Sequence, residues 1–231
     1  MREPVKNNLH PLDYFAIFFV GVFFTGMIYQ VAHALGIDQI GGTTGTLFWH
    51  LWIQDLLFLI GIAVFLFVRK ETWKTLTFKH PARTKDYFEG VLWGVGLYLL
   101  MILTVNVMNQ LWPGGLAPQN VEAFLRQEDA MWQKQFVFLS MAVMAPLVEE
   151  FFYRGYLFHA LCNKMTPLLA MILTSVVFGC MHFDLQRAIP LAVGGFFLNF
   201  IAHRYESILV STVAHGTWNA LMISGFYFIQ Q

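Results

Sequence analysis

Six of the polar side chains in the strongly apolar second half of this sequence have types and spacings that could support chemistry. They are Glu149, Glu150, Arg154, His182, His215 and Asn219. A charged residue at the centre of a membrane helix costs about 2.5–3.5 kcal/mol on insertion scales, so residues of this kind are candidates for function. Their types fit hydrolysis, because a carboxylate and an imidazole can take a proton from water while N–H donors stabilise the oxyanion that forms.

The spacing of these residues divides them into groups. Glu150 and Arg154 are four residues apart, so they meet on one helical face and can neutralise each other. Glu149 then has no local partner. His215 and Asn219 are also four residues apart, which stacks them on one face of the last helix. We therefore expect the Glu149 carboxylate to face imidazoles from the later helices.

Depth along the helices supports a meeting of Glu149 with His182. The turn between their helices is predicted near 163–167, roughly 15 residues after Glu149 and roughly 17 before His182, so at about 1.5 Å per residue both lie at a similar level. Pro146 should kink the fourth helix and free a backbone carbonyl, which favours a cavity there. The depth of His215 fits more loosely, because the tilt of its helix is unknown.

Two catalytic chemistries are compatible with these residues. In one, Glu149 and His182 activate water directly while His215 and Asn219 stabilise the oxyanion. In the other, Glu149, His182 and His215 bind a divalent metal such as zinc, which holds the water at an open position. A proton or ion relay in a transporter is a third interpretation. The sequence lacks the repeated halves typical of many transporters.

The elements that position these residues are predicted to be membrane helices. Hydrophobic residues make up 57% of the 231 residues and charged residues only 12%, against roughly 25% charged in soluble proteins. Because a span needs about 20 apolar residues, we predict an all-α, polytopic bundle forming a single membrane domain over residues 1–231. The count is about seven spans, with eight as the alternative. They lie at roughly 14–35, 47–68, 88–112, 134–161, 166–183, 188–203 and 207–228.

Charge patterning sets the topology and excludes one class of partner. The net charge is zero and no basic patch is present, which argues against nucleic-acid binding. Lys and Arg cluster at 69–85, so this loop and the N-terminus are predicted to be cytoplasmic, with the C-terminus outside if there are seven spans. Residues 118–132 could form an interfacial amphipathic helix or an ordinary loop. Asp55 and His50 are interpreted as packing residues, with a cavity as the alternative.

The motif residues resemble a known family. Glu149-Glu150-x-x-x-Arg154, then Phe178-x-x-x-His182, then His215-x-x-x-Asn219 is similar to the three motifs of the CAAX-protease and bacteriocin-processing (Abi) family of intramembrane proteases. The likeness covers a catalytic core at about 134–225.

The resemblance implies an all-helical fold with its site inside the membrane. By this likeness Glu149 and His182 activate the water, His215 and Asn219 form the oxyanion hole, and Glu150 with Arg154 holds the helix in place. Members are described either as metal-dependent or as glutamate proteases, so the metal question stays open.

The expected partners are the lipid bilayer and a peptide or protein substrate, either prenylated or membrane-embedded. Similar bacterial proteins process peptides or confer immunity to bacteriocins, which implies a bacterial cell membrane. A non-catalytic immunity protein is a further alternative.

Overall fold

The computed structural model describes residues 7–36, 42–76, 82–111, 131–184 and 186–229, without the side chains of 42–51 and 227–229. Within these ranges the regular structure is helical throughout. The helices are α1 Pro11–Ala34, α2 Gly42–Arg69, α3 Trp73–Leu76, α4 Thr84–Leu111, α5 Met131–Cys162, α6 Pro167–Cys180, α7 Ala188–Tyr205 and α8 Ile208–Ile229. The all-α prediction is confirmed for these residues, and each predicted span overlaps one helix.

Four helical segments are long and apolar enough to cross a bilayer. They are Pro11–Ala34, Trp52–Arg69, Thr84–Leu111 and Met131–Cys162. Helix α6 has 14 residues, or about 21 Å at 1.5 Å per residue, which is short for a hydrocarbon core of about 30 Å. A count of seven or eight spans therefore stays a prediction. The predicted segment 118–132 and the side chain of His50 lie outside the described part of the chain.

Local capping chemistry explains where several helices begin. The side chain of His10 accepts a hydrogen bond from the Leu12 amide at the start of α1, and Pro11 occupies the first helical turn. Thr166 plays the same part for α6, which opens with Pro167. A capping side chain satisfies an otherwise orphan N–H, and a proline at the first position has no N–H to lose.

Helix α5 changes its hydrogen-bond register twice. It is π-helical over Ser140–Met144 and again over Phe151–Phe158. In the first stretch the amide of Ala145 donates to the carbonyl of Ser140, five residues back. The next carbonyl, that of Met141, would pair with residue 146 in this register, but Pro146 has no N–H. Pro146 thus leaves the Met141 carbonyl without a partner in its own helix, so that this carbonyl can accept a hydrogen bond from another helix.

Two apolar clusters make up the interior. The first joins α1, α2, α5 and α6 and includes Tyr14, Ile62 and Phe152. The second joins α4, α7 and α8 and includes Leu198 and Trp218. The acidic segment of α5 lies against both, since Val148 belongs to the first cluster while its neighbours contact α8. The polar site is therefore enclosed between two blocks of packed side chains.

Hydrogen bonds between polar side chains also link neighbouring helices. Fully buried Asn199 of α7 donates from Nδ2 to the Met171 carbonyl and the Ser175 hydroxyl of α6. Near one end of α1, Asp13 accepts two hydrogen bonds from Arg69 of α2, at 2.6 and 2.7 Å. Such bonds fix helix positions in an apolar solvent, where burial alone does not.

Candidate active site

Glu150 is the centre of a buried polar network. Its side chain has no solvent exposure. Oε1 accepts from Arg154 Nη1 at 2.8 Å, and Oε2 accepts from the Ser211 hydroxyl at 2.7 Å. His215 Nδ1 lies 3.0 Å from Oε1. A carboxylate paired with a guanidinium can only accept hydrogen bonds, so Nδ1 of His215 carries a proton and donates it.

Arg154 confirms the pairing predicted from its spacing, and it has further contacts. Its guanidinium donates from Nη2 to the Gly195 carbonyl of α7 at 3.0 Å. It also lies 4.7 Å from the centroid of the Phe178 ring. With 0% exposure, this charge depends wholly on Glu150, one carbonyl and one aromatic face. Arg154 therefore ties α5 to α6 and α7.

Glu149 differs from its neighbour in being left open. Its side chain is 30% exposed, and Oε2 lies 3.8 Å from Nε2 of His215. This separation is too long for a hydrogen bond, and the two side chains form an ion pair at this distance only when the His215 ring carries both protons. The two nitrogens of His215 thus face two different carboxylates, one saturated with partners and one free to act on a third group.

His182 lies just beyond its helix rather than within it. Helix α6 ends at Cys180, because Phe183 takes up a left-handed conformation with φ 52°. Nδ1 of His182 is 2.7 Å from the Phe178 carbonyl. Since a carbonyl can only accept, Nδ1 carries the proton and Nε2 of the neutral ring has a free lone pair. The side chain is exposed, so that lone pair can accept a proton.

One aromatic ring connects the two histidines. Phe178 packs edge-on against His182, with ring centroids 4.7 Å apart, and against His215 at 5.9 Å. Among the described residues no hydrogen bond joins Glu149 to His182. Their sharing of one water stays a prediction.

Asn219 takes up the backbone carbonyl that Pro146 leaves without a partner. Its Nδ2 donates to the Met141 carbonyl at 2.9 Å. An amide nitrogen has two hydrogens, so one remains for another acceptor. Gly216, one turn earlier on α8, allows the close approach, because a Cβ there would lie 2.6 Å from the Ala142 carbonyl. The π-helical part of α5 thus packs directly against α8, which supplies a hydrogen-bond donor to its free carbonyl.

Residues 131–221 match the family model of the Rce1-like type II CAAX prenyl endopeptidases. The match covers less than half of the chain and shows that this segment is similar to that family. The Rce1-like segment contains every motif residue named above, so the resemblance inferred from the motifs is confirmed.

Two bacterial proteins are similar to the chain. "Putative membrane peptidase YdiL" of Bacillus subtilis (strain 168) is 25% identical over 145 residues, which are 61% of this chain and 56% of that protein. "UPF0177 protein YbdI" of Lactococcus lactis subsp. lactis (strain IL1403) is 26% identical over 182 residues, 75% of this chain and 94% of that protein. The chain thus matches little more than half the length of the Bacillus relative. No solved structure matches the chain.

The residues of the Rce1-like segment do not fit a three-ligand metal centre as they are placed. Glu149 and His215 approach within 3.8 Å, but His182 does not join them: in the described part of the chain no three His, Cys, Asp or Glu side chains are grouped so that they could hold a metal ion. A tetrahedral zinc site needs three protein ligands besides its water.

Two contributors to the site were missed at the level of sequence. Ser211 holds the second oxygen of Glu150, and the Phe178 ring joins both histidines and Arg154. A signal for Ser211 existed, since it precedes His215 by four residues and so extends the polar stripe of α8 by one turn. For Phe178 the motif gave the position and no physical role.

Proposed function

We propose that the chain is an intramembrane peptidase that hydrolyses peptide bonds with a water activated by Glu149 and His182. One observation carries the proposal most directly. His215 is fixed by a saturated carboxylate at one nitrogen, 3.0 Å away, and faces the open Glu149 carboxylate with the other, 3.8 Å away. A free carboxylate beside an oriented imidazole is a common arrangement for acid–base catalysis.

The first step removes a proton from water. The Glu149 carboxylate accepts it while the water oxygen forms a bond to the carbonyl carbon of the substrate. Nε2 of His182 is a second acceptor that orients the same water, because its Nδ1 is held by the Phe178 carbonyl. Positioned bases of this kind contribute about 10²- to 10⁴-fold in rate.

The second step stabilises the oxyanion that forms. The remaining N–H of Asn219 is one donor, held in place by the bond from the same nitrogen to Met141. His215 is the other when its ring is doubly protonated, since Nδ1–H is committed to Glu150 and Nε2–H then points toward the reaction. Fixed donors cost little reorganisation when charge develops, and one of them is worth about 10²- to 10³-fold in kcat.

Glu150 and Arg154 act as positioning residues in this mechanism. In the described part of the chain Glu150 contacts only internal groups: Arg154, Ser211 and His215 occupy its two oxygens. Glu149 and Glu150 therefore have different roles in the proposed mechanism. Glu149 acts on the water, and Glu150 sets the orientation of His215.

The substrate we propose is a membrane-embedded or lipid-linked peptide, because the acids lie within a helix apolar enough to span the bilayer. Both relatives come from bacteria, which supports a bacterial cell membrane. Peptide or bacteriocin processing, or self-immunity, is the physiological role proposed. Cleavage of the same peptide with and without a prenyl group tests whether prenylation is needed.

The test is cleavage of matched peptides, with and without a prenyl group, by protein purified in detergent, with products identified by mass spectrometry. Wild type is compared with Glu149→Ala and His182→Ala, and with Glu71→Ala and His33→Ala as controls remote from the motifs. We expect loss of cleavage in the first two variants only. Equal turnover in all five proteins would refute the assignment. Proton flux into liposomes without cleavage would favour a transporter, and substrate binding without cleavage an immunity protein.

A further inference from the structure

A second carboxyl group lies at the level of Glu149 on a different helix. Phe58 of α2 stacks on Phe152 of α5, with ring centroids 4.9 Å apart and planes inclined by 10°. Asp55 precedes Phe58 by three residues, and Glu149 precedes Phe152 by three residues. Three residues of helix rise about 4.5 Å, so each carboxyl-bearing residue is displaced by the same distance from this stacked pair.

The displacement has the same direction in both helices. Trp52 of α2 donates from Nε1 to the Ser140 hydroxyl of α5 at 2.9 Å, so α2 from 52 to 58 runs alongside α5 from 140 to 152. Asp55 is midway between Trp52 and Phe58 along the axis. It is also midway around it, since three residues turn a helix to within about 60° of the starting direction. Asp55 therefore lies on the side of α2 that faces α5, between the Trp52–Ser140 and Phe58–Phe152 contacts.

The Asp55 side chain lies in largely apolar surroundings. It is half-buried in a segment apolar enough to span the membrane, and no hydrogen bond or ion pair to it occurs among the described residues. A protonated carboxyl group has one O–H that it can donate.

We propose that Asp55 is the acid that protonates the leaving amine. This inference rests on the proposed peptidase function and adds a catalytic residue from outside the family-matched segment 131–221. Glu149 takes a proton from water as the oxygen–carbon bond forms. The Asp55 carboxylic acid then gives its proton to the amide nitrogen as the carbon–nitrogen bond breaks and the carbonyl re-forms. Transfer of the proton from Glu149 to Asp55 restores the starting state.

The test exploits the leaving group. An alkylamine must be protonated to leave, whereas the alcohol of an activated ester leaves without help. We compare a peptide with an activated ester of the same acyl sequence in wild type, Asp55→Asn, Asp55→Glu and Glu149→Gln. For Asp55→Asn we expect kcat/KM on the peptide to fall about 10²- to 10⁴-fold, with the ester changed by only a few fold. Asp55→Glu should restore part of the peptide activity, which covers the case in which the asparagine variant fails to fold.

The outcomes separate this inference from the function on which it rests. Equal losses on both substrates in the Asp55 variants, or no loss on either, would overturn the role of Asp55. Glu149→Gln should lose both substrates. If it keeps both, the proposed hydrolytic function fails whatever the Asp55 variants do.

Discussion

Replacement of Arg154 tests the buried network that positions His215. The Arg154→Met variant keeps the unbranched apolar stem of the side chain but removes the guanidinium group and its positive charge. It thereby breaks the 2.8 Å ion pair with Glu150, the 3.0 Å hydrogen bond to the Gly195 carbonyl and the contact with the Phe178 face. Glu150 would remain wholly buried, with only the Ser211 hydroxyl and His215 to balance its charge.

The expected cost follows from the burial of both partners, whose side chains are 0% exposed. Removing one member of such a pair typically costs about 3–5 kcal/mol. This is a large part of a total folding stability of about 5–15 kcal/mol. The double variant Glu150→Gln/Arg154→Met leaves no uncompensated charge, so its loss should be smaller than the sum of the single losses by about 2–3 kcal/mol.

The assay is reversible unfolding in mixed micelles of a mild detergent and dodecyl sulfate, followed by circular dichroism. The control is Arg83→Met, which removes an ion pair to Asp86 whose arginine side chain is 72% exposed and should change stability little. Activity per folded molecule should fall less than the yield of folded protein. Wild-type stability of Arg154→Met, or strict additivity in the double variant, would contradict the account.

Three further predictions follow. Gly216→Ala should destabilise the fold and reduce turnover, because its Cβ would lie 2.6 Å from the Ala142 carbonyl; Gly96→Ala, with nothing within 4 Å, should be neutral or stabilising in the same unfolding assay. Asp13→Asn should lower the unfolding free energy, because it weakens the bidentate contact with Arg69, and should leave kcat/KM of the folded fraction unchanged. A loss of kcat/KM at unchanged stability would contradict this structural role of Asp13. Turnover should survive dialysis against a chelator, since three possible ligands do not converge; a loss that zinc reverses would overturn this prediction.

Much of the architecture was accessible from hydropathy alone. The fourth span, expected at 134–161, is the helix Met131–Cys162, and the turn expected near 163–167 falls between Cys162 and Pro167. Long apolar runs determine where helices form in a membrane. The i to i+4 rule likewise predicted the ion pair of Glu150 with Arg154.

The sequence could not show how α5 and α8 face each other. Adjacent residues on a helix differ by about 100° in direction, so spacing alone does not decide whether Glu149 or Glu150 reaches the later helices. In the structure both acids lie beside His215, Glu149 near Nε2 and Glu150 near Nδ1. The π-helical register was also unpredictable, because it depends on how strain around Pro146 is absorbed. Without that register the bond from Asn219 to Met141 could not be foreseen.

The central claim is that the open carboxylate of Glu149, 3.8 Å from His215, is the base of a peptide-hydrolysing site. Its most direct test is kcat/KM of Glu149→Gln in liposomes, measured beside its unfolding free energy. Glutamine keeps the shape and removes the base, so we predict a fall of about 10²- to 10⁴-fold in kcat/KM with little change in stability. A Glu149→Gln protein that cleaves peptide at the wild-type rate would contradict the account.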